Sequence, residues 1–323
     1  MKIPKKLDLA NIPTPVQKLK FNNAEFLIKR DDYTGVELSG NKIRKLEYLL
    51  YDAKKKKADY VFTRGGEQSN HARATAIAAA QVGIKSKLFL WGQDRKTAEG
   101  NLFLDKMVGA EIDFLNKENY RFADDKMKEE KENFSKRGLN AVVIAEGGSS
   151  SLGIWGYINF VDELKAQIST NKIKSILHAA GSGGTSAGLL VGAALYKIPV
   201  KILAVNVLYD PNEFKEKIIE LAERAVADFK IDVKINPNNL EMIDGYSEEG
   251  YKHISDDKVD LFRAFAKQTG ILLDPTYTGK AFFAFNDLFL KGKKTTKTLF
   301  LHTGGIYGAF AKRSKYLNAE KNK

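Results

Sequence analysis

Six short runs rich in β-branched and aromatic residues, separated by helical stretches and mostly ending in glycine, restrict this chain more than any other feature. They are DYVFTRG (59–65), SKLFLWG (86–92), AVVIAEGG (141–148), SILHAAGSGG (175–184), KILAVNV (201–207) and TLFLHTGG (298–305). Around them the apolar period of 3.6 predicts helices over 43–56, 70–82, 100–108, 124–137, 155–168, 185–195, 213–229, 257–268 and 279–290. Strand–helix alternation with near-continuous apolar strands implies an α/β chain on mostly parallel sheets, flanked by helices on both faces. In open sheets of this kind the ligand crevice lies beyond the carboxyl ends of the strands. Four glycine turns are therefore site candidates: RGGEQSN (64–70), EGGSSS (146–151), AGSGGTSAG (180–188) and HTGG (302–305).

Composition removes several classes. At 323 residues and 43% hydrophobic content, the core is large enough for two domains. The chain has no cysteine, which excludes disulfides, thiolate catalysis and thiolate zinc sites. No apolar run reaches membrane-spanning length, and the start, MKIPKKLDLANIPTPVQ, lacks the apolar stretch of a secretory signal. The net charge of +12 is scattered; its tightest run, KKKK at 54–57, ends a helix, where cations are favourable. No nucleic-acid or membrane partner is expected. The last residues, NAEKNK, are expected to fray.

The sharpest motif is AAGSGGTSAGLLVG (179–192). A strand meets a glycine turn and then a helix start, so free backbone N–H groups and the helix dipole converge on an anion. The Walker GK[ST] pattern is absent. The dinucleotide fingerprint fails at Ser186, and Asn206 stands where an acidic ribose contact is wanted. In RGGEQSNHAR, Ser69 or Asn70 can cap the next helix, and the same turn can hold a carboxylate. His71 could be a base, a ligand or a polar first-turn residue, the last being the favoured reading. His178, His253 and His302 have no metal-type spacing.

One lysine looks misplaced. In SGNKIRKLEYLLYDA (39–53) the residues Ile43, Leu46, Leu49, Leu50 and Ala53 form an apolar stripe. Lys42 lies at its edge and Arg44 on the opposite side. Lys42 also begins the helix, where the dipole disfavours a cation. Both effects favour a neutral amine, which can form a Schiff base with an aldehyde. A phosphate cradle with such a lysine points to pyridoxal 5′-phosphate.

The motifs TPVQKL, LIKRDD, SGNKIRKLEYLL, GGEQSNHAR, GNLFLDKMVGAE, GGSSSLGIWGY, GSGGTSAGL, GYSEEGY, LLDPTYTGKA and HTGG follow one another along the chain. In this order the sequence resembles the D-cysteine desulfhydrase / 1-aminocyclopropane-1-carboxylate (ACC) deaminase family. These are pyridoxal-phosphate enzymes of the tryptophan synthase β-like fold (fold type II). The resemblance implies a small α/β domain at 46–155 inserted into a large cofactor-binding domain made of 1–45 and 156–323. It implies Lys42 as the cofactor lysine and Gly181, Ser182, Gly183, Gly184 and Thr185 as the phosphate loop. Asn70 would meet the phenolic oxygen, and Thr278 and Thr303 would complete the cofactor contacts. Lys42, Ser69 and Tyr277 would be catalytic. Gln68, Ser69, Asn70, His71, Tyr246 and Tyr277 would contact a small amino-acid substrate. A cytoplasmic homodimer is expected. Arg64 and Glu67 depart from the many relatives that are uncharged there.

The chemistry implied is α,β-elimination, D-cysteine giving pyruvate, sulfide and ammonia. ACC deamination and elimination from serine or cysteate are the alternatives within this chemistry. A dinucleotide-binding oxidoreductase and a cofactor-binding protein without turnover are the alternatives outside it. Relatives that deaminate ACC carry Glu after the DP-x-Y tyrosine and Leu before the final GG, where this chain has Thr278 and Thr303.

Overall fold

The computed structural model describes residues 1–318 except 96, 170–171 and 251–252. Beyond Asn318 the tail expected to fray lies outside the described residues. The chain runs β1 (Val16–Phe21), β2 (Ala24–Arg30), α1 (Lys42–Lys55), β3 (Tyr60–Gly66), α2 (Asn70–Gln81), β4 (Lys85–Trp91), α3 (Gly100–Met107) and β5 (Glu111–Leu115). There follow α4 (Lys117–Tyr120), α5 (Ala123–Lys136), β6 (Ala141–Val143), α6 (Trp155–Gln167), β7 (Ser175–Ala180), α7 (Gly184–Leu195) and β8 (Lys201–Asn206). Last come α8 (Pro211–Asp228), β9 (Leu240–Ile243), α9 (Asp256–Thr269), α10 (Thr278–Phe285), β10 (Thr298–His302), α11 (Ile306–Phe310) and α12 (Arg313–Asn318).

Two sheets result. A six-stranded sheet has the order β1-β2-β10-β7-β8-β9, and a four-stranded sheet the order β5-β4-β3-β6. Every pairing is parallel except β1 with β2. All six apolar runs contain strands. Four further strands escaped the sequence reading: β1, β2, β5 and β9. The β1–β2 hairpin turns at Asn22 and Asn23, both left-handed (φ 45° and 69°), as a two-residue hairpin turn requires.

Apolar side chains cover both faces of the six-stranded sheet. α6, α7 and α8 pack on one face, and an aromatic cluster including Phe21, Phe26, Phe265, Phe282 and Phe300 fills the other. The centres of the Phe282 and Phe300 rings lie 5.4 Å apart, edge to face, the arrangement their quadrupoles favour. A third cluster joins the apolar stripe of α1 to α2 and β3. Among the described residues no helix is long and apolar enough to cross a membrane.

The side of α1 opposite its apolar stripe is also buried. There Arg44 pairs with Asp31 (2.9 Å) and Glu163 (2.8 Å), Lys29 reaches Glu163 (2.5 Å), and the Tyr157 hydroxyl donates to Asp31 (2.6 Å). Arg44 therefore fastens α1 to α6 and the segment after β2. The other end of α1 is solvated, as expected: residues 54–57 are exposed. The start of α1 is pressed against the end of β10. Asn41 N donates to Thr303 O (3.1 Å), and a β-carbon on Gly304 would fall 2.5 Å from Gly40 Cα.

Candidate active site

All four glycine turns converge on one cavity of about 430 Å³. Arg64, Gly66, Ser69 and Asn70 come from the first turn, Glu146 and Gly147 from the second, Gly181 to Gly183 from the third, and Thr303 and Gly304 from the fourth. The first turn of α1 adds Asn41 and Lys42.

Lys42 is partly buried. Its Nζ donates to Asn41 Oδ1 (2.9 Å) and lies 6.0 Å from the centre of the Tyr277 ring. Burial lowers its pKa to about 8. The nearby Arg73 guanidinium adds to this, and Asp274 and Glu146 oppose it. One turn along the helix Lys45 is fully buried, and its Nζ donates to Gly147 O. Burial and the Lys42 charge push the Lys45 pKa well down. Among the described residues neither amine forms an ion pair with a carboxylate. Two amines, Lys42 partly and Lys45 fully buried, neither ion-paired with a carboxylate among the described residues, stand beside a glycine turn that opens a helix, a donor set suited to a phosphate.

Gly183 opens α7 with φ +80°, and a β-carbon on it would meet Ile218 Cγ1 at 2.9 Å. One on Gly181 would meet the Tyr277 ring at 2.9 Å. Thr185 Oγ1 accepts from Asn41 Nδ2 (3.0 Å), tying the starts of α1 and α7 together. Gly181, Ser182, Gly183 and Thr185 line the cavity. Gly184 sits behind them, its N–H given to Ser149 Oγ (3.1 Å).

On the facing side Ser69 caps α2. Its Oγ accepts from Ala72 N (3.2 Å), which leaves the hydroxyl proton for the cavity. Gln68 is turned away: its side chain donates to Glu99 O (2.9 Å) and accepts from Asn101 N (3.0 Å), beside a smaller cavity of about 70 Å³. His71 is buried, with Nε2 2.9 Å from Thr63 Oγ1. The Thr63 proton goes to Ile144 O (2.8 Å), so Nε2 carries the imidazole hydrogen. Burial drives the His71 pKa far down and keeps the ring neutral. His71 also lines the cavity, next to Asn70.

Tyr277 and Thr303 line the cavity, and Thr278 lies behind Thr303. The Thr278 hydroxyl donates to Gly304 O (2.7 Å) and is 3.4 Å from Thr303 Oγ1. Tyr246 stands apart: its hydroxyl donates to Asp287 Oδ2 (2.9 Å), its ring packs on Phe283, and it does not line the cavity. Arg64 sits in the wall between Asp124 (3.2 Å) and Glu146 (3.4 Å), over the Tyr120 ring. Glu67 instead faces Arg95 (3.3 Å). Burial raises the Glu146 pKa against the pull of Arg64.

Asn41, Lys45 and His178 were not anticipated, and Glu146 only as part of its turn. One signal was available: Lys45 follows Lys42 by three residues and so shares its helix face.

The chain has relatives among known proteins. The sequence pattern of the family described as "Pyridoxal-phosphate dependent enzyme" matches residues 7–304. A Thermotoga maritima protein named putative 1-aminocyclopropane-1-carboxylate deaminase is 41% identical, over 95% of this chain and 98% of its own. A mitochondrial protein of Arabidopsis thaliana, named bifunctional D-cysteine desulfhydrase/1-aminocyclopropane-1-carboxylate deaminase, is 36% identical over 94% of this chain and 79% of its own. A crystal structure described as an ACC deaminase homologue superposes with a TM-score of 0.87 at 36% identity, covering 98% of this chain and 96% of that one. The architecture is thus the tryptophan synthase β-like fold, fold type II, anticipated from the sequence.

Proposed function

The chain belongs to the pyridoxal-phosphate-dependent enzyme family, and on that premise we propose that it eliminates the β-substituent of a small amino acid. D-Cysteine is the substrate best suited, giving with water pyruvate, sulfide and ammonia. The observation that carries the proposal is the pair of amines on one face of α1, Lys42 lining the cavity and Lys45 buried behind it, neither in an ion pair with a carboxylate among the described residues.

When bound, the cofactor supplies an aldehyde for an amine and a ring that accepts electrons. Lys42 would carry that aldehyde. Gly181 to Gly183, Thr185 and Lys45 would hold the phosphate. With its pKa near 8, the freed Lys42 amine is neutral often enough at neutral pH to take the substrate Cα proton as general base. The Ser69 hydroxyl and the N–H groups opening α2 suit the substrate carboxylate. Asn70 would donate to the cofactor's phenolic oxygen, and Tyr277 would flank the reacting carbon. Gln68 supports this turn from behind, and His71 lines the cavity beside Asn70. Tyr246 is left out of the substrate contacts because its hydroxyl is committed to Asp287.

The choice of substrate rests on Thr303 and Thr278. ACC has no hydrogen on Cα, so its reaction demands a strong electron sink, best supplied by a ring nitrogen kept protonated by a carboxylate. Here the groups on offer are hydroxyls. The carboxylate behind them, Asp274, is taken up by the N–H groups of Thr276, Tyr277 and Thr278 at 2.6–2.9 Å. A less electron-poor ring suffices where Cα bears an acidic proton and a thiolate can leave. ACC deamination is the second reading, favoured by the names of the relatives. Parallel assays of 2-oxo acid release decide: faster 2-oxobutanoate from ACC than pyruvate from D-cysteine overturns the proposal.

We further propose that residues 46–155 form a smaller unit and the two flanks a larger one, with the cleft between them closing to exclude water. The family resemblance supports a homodimer in the cytoplasm.

A further inference from the structure

We propose that Arg73 and Asn101 are positioning residues that decide which atom of Asn70 faces the cavity. This rests on the reading of Asn70 as a cofactor contact. Arg73, in the first turns of α2, has no exposed surface, and its guanidinium lies over the Tyr307 ring. Its Nη1 donates to Glu37 O and its Nη2 to Ser39 O (2.9 Å), both on the segment that leads to Lys42. Its Nε donates to Asn101 Oδ1 (3.1 Å).

A guanidinium only donates, so the Asn101 atom facing it must be the oxygen. Asn101 Nδ2 is thereby turned to the substrate loop, where it donates to Gln68 O (2.9 Å) and Asn70 Oδ1 (3.0 Å). An amide donor in turn claims the Asn70 oxygen. The NH₂ group is then what Asn70 has to offer the cavity it lines. The ordinary ambiguity between amide oxygen and nitrogen is removed by one group that cannot accept. The outcome is a donor aimed at an oxygen anion, the chemistry of a pyridine ring's phenolate. The same guanidinium holds Lys42's segment, so one side chain registers the amine and the amide against each other.

The test compares two variants of one residue. Asn101→Asp keeps the shape and the acceptor for Arg73 but replaces the donor toward Asn70 with an acceptor, forcing the Asn70 oxygen into the cavity. Asn101→Ala leaves Asn70 free to rotate. Titrating apo-protein with pyridoxal phosphate, Asn101→Asp should weaken affinity by about tenfold or more, the loss of one hydrogen bond to a charged acceptor. Asn101→Ala should cost about threefold or less by the same reasoning. A role confined to holding Arg73 predicts the reverse order, because Asp retains a partner for Arg73 and Ala does not. The reverse order overturns the proposal. An Asn70→Ala control separates the two readings. If it leaves affinity unchanged, Asn70 is not a cofactor contact. If it weakens affinity while Asn101→Asp does not, the relay fails. Should Asn101→Asp not fold, neutron diffraction of the unaltered protein reads the orientation directly: deuterons on the cavity side of Asn70 uphold it, and an oxygen there refutes it.

Discussion

Replacing Lys45 by methionine separates two things a buried amine can do at this position: bind a phosphate or merely fasten a loop. The side chain is fully buried, its Nζ donates to Gly147 O, and it would stand 3.2 Å from a β-carbon on Gly184. If the amine faces a phosphate, the substitution removes a charge-assisted hydrogen bond worth about 1.5–3 kcal/mol. At about 1.4 kcal/mol per factor of ten, pyridoxal phosphate binding weakens by about 10- to 150-fold. Pyridoxal, which has no phosphate, should bind both proteins alike. Loss of the bond to Gly147 O costs about 1 kcal/mol in the apo-protein, and release from burying an unpaired amine offsets part of it. The melting temperature should therefore fall by no more than about 2–4 °C. The assay titrates parent and variant apo-protein with each compound and follows the visible absorption. An equal loss for both compounds would show a distorted pocket, and no loss for either would put the phosphate elsewhere. Each of these refutes the reasoning.

Four other outcomes are expected. Lys42→Ala should abolish turnover and the visible band while leaving the far-ultraviolet dichroism unchanged; Lys45→Ala doing so in its place would assign the wrong lysine. Because the folded-state pKa of Lys42 is lowered to about 8 from about 10.4 in an unfolded chain, the folded apo-protein binds fewer protons there between these values. Its stability should rise with pH across that window, and acylation of Lys42 should set in about two pH units before surface lysines, as mass spectrometry of pH-stepped labelling can check. Gly183→Val should release pyridoxal phosphate on dialysis, because valine disfavours φ +80° and its β-carbon would press on Ile218; full retention would contradict this. Thr278→Glu with Thr303→Leu should raise the ratio of 2-oxobutanoate from ACC to pyruvate from D-cysteine, and an unchanged ratio would remove these residues from the choice of substrate.

Most of the frame could be read from the sequence because strands ending in glycine advertise both a parallel sheet and its ligand edge. β5 and β9 could not, since EIDFL and LEMI are short and half-exposed and mimic helix-flanking segments. The β1–β2 hairpin carried its signal in the Asn22–Asn23 pair, which matters only once the flanking polar residues are accepted as an edge strand. At the site, Lys42 was legible from its helix position. Lys45, Arg44 and Arg73 were not, because a charged residue between apolar ones usually marks solvent. Here the opposite face of α1 meets another helix instead. Only the packing of distant segments, Asp31 and Glu163 on Arg44 or Ser39 and Asn101 on Arg73, makes those burials tolerable. Tyr246 shows the converse: its motif suggested a role, and Asp287, forty-one residues on, claimed its hydroxyl.

The contact between Gly40 and Gly304 works as a gauge. The depth at which the amine of Lys42 stands relative to the last strand is set there by missing side chains on two distant segments. A methyl group at 304 would begin 2.5 Å from Gly40 Cα, whereas carbon atoms rest at about 3.5–4.0 Å. The segments would have to part by on the order of 1 Å, a displacement that can cost on the order of 100-fold in rate when it reaches the reacting atoms. Drift in sequence at either glycine is thereby converted into drift in catalytic alignment, however well the rest of the core absorbs it.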